Sequence, residues 1–157
     1  MLDRTQLVLL SALLLAPGAA TAQQPAPATV TLEQFKRLGW LAGVWQGSGG
    51  AYPAFFEEYR VLDDSTIAMR GFPSADLSKV SDSARIEFRD GMVYHRSEGG
   101  RNVAVQLTAS TVYFVPVGAS RGGFTFSRQS ADLWTATLHS AKEGGRETIY
   151  LMRRLRQ

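Results

Sequence analysis

Few residues in this chain are of types that do chemistry. His95 and His139 are the only two histidines and Cys is absent, so a metal centre with several His or Cys ligands is excluded, although one His with carboxylates is not. A Cys nucleophile is impossible, and neither a Gly-x-Ser-x-Gly elbow nor a Walker-type phosphate loop occurs. We therefore expect no metal and no cofactor, and assign no catalytic residue. Glu57 and Glu58 are adjacent, so in a strand they point to opposite faces and cannot form a carboxylate pair by themselves. Phe55, Glu57, Tyr59 and Val61 make one face; Phe56, Glu58 and Arg60 make the other. The first is the more apolar, which points Glu57 inward, where its charge would need an Arg or Tyr partner.

Arg70 and Arg85 are the guanidiniums available on nearby segments, and Tyr94 lies beside His95. Glu57, Tyr59, Arg70, Arg85 and Tyr94 are accordingly the candidates for binding a ligand. A purely structural ion pair is the rival role for Glu57 and its Arg. By alternation His95 shares a face with Val93 and opposes Met92 and Tyr94, which fits a surface or mouth-lining imidazole. His139, just before Ser140-Ala141-Lys142, fits a solvated turn.

The elements that must position these residues are strands. Ala84, Ile86 and Phe88 alternate with Arg85, Glu87 and Arg89, giving one dry face and one wet one. Val103, Val105 and Leu107 alternate with Asn102, Ala104 and Gln106 in the same way. Similar segments at 44–48, 55–62, 66–72, 92–96, 112–117, 123–128, 133–139 and 147–155 bring the expected number to about ten strands. Turn signals such as Asp63-Asp64, Asp90-Gly91 and Gly144-Gly145 are short, so neighbours connect as a meander, because parallel crossovers need a dozen residues or more. A meander this long must close or split into two sheets to cover its edges. The expected fold is all-β, an antiparallel meander β-barrel of about ten strands, with a two-sheet sandwich as the alternative. Thr31 and Gln34 have capping-box spacing, which predicts a short helix carrying Leu32, Phe35 and Leu38 and stopping at Gly39.

Residues 1–22 read as a signal peptide: Arg4, the apolar run Leu7 to Leu15, the breakers Pro17 and Gly18, and a small-x-small cleavage signal at Ala20-Thr21-Ala22. That run is shorter than the roughly 20 residues of a membrane span. Residues 23–30 read as a disordered leader and residues 31–157 as one domain. The expected location is periplasmic or secreted, with no lipid-modified cysteine available. The formal charge of +3 is spread out and gives no sign of a nucleic-acid partner.

Gly43-Val44-Trp45, at the start of the first strand, resembles the Gly-x-Trp of lipocalins and their calycin relatives. The resemblance implies an indole at the closed end of the barrel with an Arg from the last strand across it, here Arg153 or Arg154, so that Gly43, Trp45 and one of those arginines close the barrel. Trp40-Leu41-Ala42-Gly43-Val44-Trp45 followed by Glu57-Glu58-Tyr59 is similar to exported bacterial lipocalin-like domains of unknown function. Gly43, Trp45, Gly47 and Gly49 also match the first strand of nitrobindins, which are haem-binding barrels. In the place of that family's haem-ligating His this chain holds Glu147-Thr148-Ile149, so the match supports the barrel more than the haem.

Together these features predict an exported barrel that binds a small hydrophobic or amphipathic ligand, with an acidic head suiting an inward Arg. Three alternatives stay open: a haem barrel using His95 or His139, an enzyme with an inward carboxylate and Tyr as acid and base, and an envelope protein with a filled core. Whether aromatic residues fill the interior or line a pocket, and what the oligomeric state is, do not follow from the sequence.

Overall fold

The computed structural model describes residues 25–51, 53–118, 122–142 and 144–156. The expected signal peptide lies outside the described residues. A five-residue helix α1 (Leu32–Lys36) runs into a 3₁₀ turn (Arg37–Leu41) and then into strands β1 (Gly43–Ser48), β2 (Phe55–Asp63), β3 (Thr66–Phe72), β4 (Asp82–Arg89) and β5 (Met92–Ser97). The meander continues through β6 (Gly100–Leu107), β7 (Thr111–Pro116), β8 (Phe124–Arg128), β9 (Leu133–Leu138) and β10 (Thr148–Arg154). Every neighbouring pair is antiparallel, and β1 pairs with β10, so the sheet is a closed barrel and not a sandwich. Closure leaves no edge strand exposed.

Local chemistry accounts for the punctuation. The Gln34 amide donates to Thr31 Oγ1 at 3.2 Å and the Thr31 amide to Gln34 Oε1 at 2.7 Å, the reciprocal box that starts α1. Asp90 and Gly91 both adopt positive φ, 52° and 75°, as a two-residue hairpin between twisted strands requires.

One end of the barrel is stoppered. Phe35, Leu38 and Leu41 are buried beneath the strands' rim, and Trp45 Nε1 donates to the Leu41 carbonyl at 2.7 Å. The Arg154 guanidinium lies 4.2 Å from the centre of a Trp45 ring. It donates to the carbonyls of Ala42 at 3.0 Å and Ala131 at 3.1 Å, and pairs with Asp132 at 3.3 Å. Of the two arginines considered, Arg154 is the closing cation. Arg153 is in register with Gln46 and Leu133 on the outer face. Gly43 has φ 133°, and a Cβ there would land on Arg154 Nη1, so only glycine leaves that guanidinium its place.

Two expectations need correction. The register of β6 against β7 shifts between Ala104 and Gln106, so Val103, Val105 and Leu107 do not share one dry face. Ala104 joins the core opposite Phe114, while Val103 pairs with outward Tyr94. A bulge inserts one residue and reverses the alternation beyond it. Residues 25–30, expected as a disordered leader, run along the outer wall at this point. The Ala28 amide donates to the Ala104 carbonyl and the Val30 amide to the Gly91 carbonyl, both at 2.8 Å, and Val30 is buried. Two backbone bonds and one apolar anchor leave no periodic trace in a sequence.

Replacing Arg154 with Ala removes the cation over the indole and two hydrogen bonds from a charged donor. We expect a loss of about 2–4 kcal/mol in urea unfolding followed by Trp fluorescence, with Arg153→Ala changing stability by less than about 0.5 kcal/mol. Equal effects of the two substitutions would contradict the assigned stopper.

Candidate functional site

The barrel interior is unequal along its length. At the stoppered end Trp134 is buried at the centre of a ring cluster, with Trp40, Trp45, Tyr59 and Phe126 at centroid distances of 5.9, 6.0, 5.9 and 4.9 Å. Above this floor the aromatic side chains no longer meet across the axis, and a cavity of about 200 Å³ remains. Its wall includes Phe55, Phe124, Phe126 and Tyr150, with Glu57 and His95 as its ionisable members besides the tyrosines. A mouth hollow of about 340 Å³ shares His95, Phe124 and Leu138 with it and opens beside Gly100 and Asn102. Packed core and pocket thus coexist in one barrel.

Strand parity sets the polar groups. Trp45, Glu57 and Gly71 are in register across β1, β2 and β3, and Gly71 is in register with Asp82 on β4. Gly71 is itself buried, and a Cβ there would stand 3.3 Å from Asp82 Cβ, whereas Asp82, the first residue of β4, is exposed. Tyr59 donates its phenol proton to Glu57 Oε2 at 2.9 Å. Burial pushes the Glu57 carboxyl up from 4.5 to about 7, against that hydrogen bond, and the charge of Asp82 adds to the rise. Burial, with the Glu57 charge and hydrogen bond behind it, holds Tyr59 well above the usual phenol range. His95 is held down to about 4 by burial, partly offset by Asp82. Its ring packs against Phe124 and Phe114 at 5.0 and 5.8 Å, and its Nδ1 is buried with no hydrogen-bond partner.

Of the residues singled out in the sequence, Glu57 and Tyr59 meet in the lumen. Arg70 and Arg85 do not join them: both are exposed on the outer wall, Arg70 in register with Glu58 and Arg85 with Arg96. Tyr94 also faces outward, in register with Val103, beneath the Arg101 guanidinium at 5.4 Å and beside Pro25 and Pro27. Glu57 therefore has Tyr59, and no guanidinium, as its hydrogen-bonded partner among the described residues. His95 is more deeply placed than expected, and its shared parity with Val93, which is fully buried, was the signal for this. His139 is engaged at both nitrogens, Nε2 to Thr125 Oγ1 at 2.8 Å and Nδ1 to Glu147 at 2.6 Å, and takes no part in the lumen. No group of three or more potential metal ligands exists among the described residues.

No protein-family model matches this chain, and no curated protein matches it in sequence. Its fold is similar to that of the crystal structure of Rv2717c from M. tuberculosis, at 12% identity, over 78% of this chain and 98% of that one, with a TM-score of 0.47.

The two displaced ionisations have opposite effects on stability. Glu57 holds more protons folded than unfolded between pH 4.5 and about 7, so stability falls as pH rises through that window. His95 holds fewer protons folded than unfolded between about 4 and 6.5, so stability falls as pH drops through that one. Tyr59 on β2, Asp82 on β4, His95 on β5 and Tyr150 on β10 are the titratable groups facing or flanking Glu57. Glu57→Gln should raise stability at about pH 8 by on the order of 1–3 kcal/mol and leave an acid-side loss due to His95. Urea midpoints measured across this range check it, and an unchanged midpoint on the alkaline side would contradict the buried carboxyl.

Proposed function

We propose that this protein is an exported, lipocalin-like binding barrel that takes one small, largely apolar molecule through its open mouth and performs no covalent chemistry on it. The observation that carries this reading is the unfilled, ring-lined cavity above the Trp134 floor, with its polar groups gathered at one side. Pockets of this kind gain affinity from apolar area and orientation from a few placed polar groups. At about 200 Å³ the space suits a molecule of one or two rings, smaller than the occupants of ordinary sites of roughly 300–1,000 Å³. The Arg154–Trp45 stopper supports kinship with calycins, and the signal-like segment at residues 1–22 supports a periplasmic or secreted location. Among the described residues an acidic ligand head finds no guanidinium in the lumen, since Arg70 and Arg85 are outside.

One observation favours a second reading. A carboxyl near neutrality, hydrogen-bonded to a Tyr and free of any Arg, is suited to general acid or base work. A substrate turned over by the wild type and not by Glu57→Gln would establish that reading. A haem barrel needs an inward imidazole, and His95 provides one. The inner cavity is too small for a macrocycle, which would have to sit in the mouth hollow. A Soret band on haem addition that disappears in His95→Ala would support it.

Ala136 lies on the cavity wall in register with Phe126 and Tyr150. Ala136→Phe should fill the cavity and lower occupancy by a co-purified molecule at least about tenfold. Native mass spectrometry of protein taken from the producing cell measures this. Equal occupancy in a folded variant would remove the lumen as the binding site.

A further inference from the structure

The lumen's polar side has a definite electrical sign. Glu57 lines the cavity from β2, while Asp82, exposed at the start of β4, lies outside that lining and adds its negative charge from the rim. Among the described residues no Lys or Arg lines the inner cavity. The wall opposite is aromatic: Tyr150 and Phe55 stand edge to face at 5.2 Å, and Phe124 and Phe126 are 5.0 Å apart. His95 adds a buried Nδ1 without a partner, a polar atom that a bound molecule can satisfy. Aromatic faces attract cations through their quadrupoles, and a carboxylate in a water-poor pocket does so by its charge.

From this geometry we infer that the lumen selects small aromatic or alicyclic amines, with the ammonium seated against the Glu57 carboxyl and the ring held among Phe55, Phe124, Phe126 and Tyr150. This rests on the lumen-binding reading and adds the charge of the ligand's head. An arriving cation supplies the counter-charge that Glu57 lacks, so binding above neutral pH stabilises the carboxylate that folding disfavours. Burying one charge alone is costly, whereas burying a hydrogen-bonded pair is much less so. A ligand carboxylate would meet Glu57 and Asp82 with the same sign. The selectivity thus has an attractive and a repulsive part.

The test uses three probes of nearly equal size, phenethylamine, phenethyl alcohol and hydrocinnamate, titrated calorimetrically into the full-length mature protein at about pH 8, where Glu57 is mostly ionised. Phenethylamine should bind at least about tenfold more tightly than phenethyl alcohol, and hydrocinnamate more weakly than either. In Glu57→Gln the amine's advantage over the alcohol should disappear while the alcohol still binds, which also shows that the variant is folded. If the alcohol binds as well as the amine, or hydrocinnamate binds best, the amine assignment is overturned and the lumen-binding reading stands. If none of the three binds, and Ala136→Phe leaves co-purified occupancy unchanged, the lumen-binding reading itself fails and takes this inference with it.

Discussion

Arg154 performs three tasks at one end of the barrel, and the remaining architecture follows from its being able to do so. Its guanidinium covers Trp45, ties the last strand to the Ala42 carbonyl at the entry to the first, and holds the β8–β9 turn through Ala131 and Asp132. A planar fork with several donors can do all of this at once, which a lysine ammonium cannot. The contact lies beside the β1–β10 seam, where the sheet closes on itself. Gly43 is the counterpart of this arrangement, for its missing side chain is the room the guanidinium occupies. With that end fixed, large rings can accumulate above Trp45, and the ring-lined cavity lies beyond them.

The open half then has its character set by contrast. Its apolar wall makes charge expensive, so the carboxyl of Glu57 is raised and the imidazole of His95 is lowered, and both favour the neutral form over the range where their displacements overlap. Keeping them neutral is a cost to folding that grows for Glu57 as pH rises from 4.5 to about 7 and for His95 as pH falls from 6.5 to about 4. A barrel that needed only a core would be more stable with Gln and Phe in those places. Their presence in a cavity, with Tyr59 bonded to one and an orphan nitrogen on the other, is what marks this region as a site.

Much of this was legible in the residues, and the misplacements have specific physical causes. Period-two alternation gave the meander, its strand number and the inward faces of Glu57 and Tyr59. The same alternation already put Arg85 opposite Ala84 and Ile86, and Arg70 opposite Met69, so assigning them to the lumen went against the parity of their own strands in search of a counter-ion for Glu57. That search assumed a buried carboxyl must be charged. It is answered instead by protonation near neutrality and a phenol. Tyr94 has the same explanation, for its parity is that of exposed Arg96. The bulge between Ala104 and Gln106 and the docking of Ala28 on Ala104 were not legible, because each is a choice of backbone hydrogen-bond partner and leaves no mark in side-chain type.

The wall of such a barrel is one strand thick, so residues i and i+1 belong to different environments a few ångströms apart. Glu57 faces the lumen and Glu58 bonds Arg60 outside at 2.7 Å. Along β2 to β5 the outer surface carries Arg60, Arg70, Arg85 and Arg96 together with Glu58 and Glu87, which pair with Arg60 and Arg96, while Glu57 lines the cavity. Overall charge therefore says nothing about what the lumen prefers: the chain as a whole is positive, and its cavity is acidic. The alternation that folds the sheet also separates ion pairs outside from a carboxyl bonded to a phenol within. A molecule choosing between the two sides of this wall meets ion pairs in solvent outside and, at the cavity, a carboxyl where water is scarce and screening is weakest.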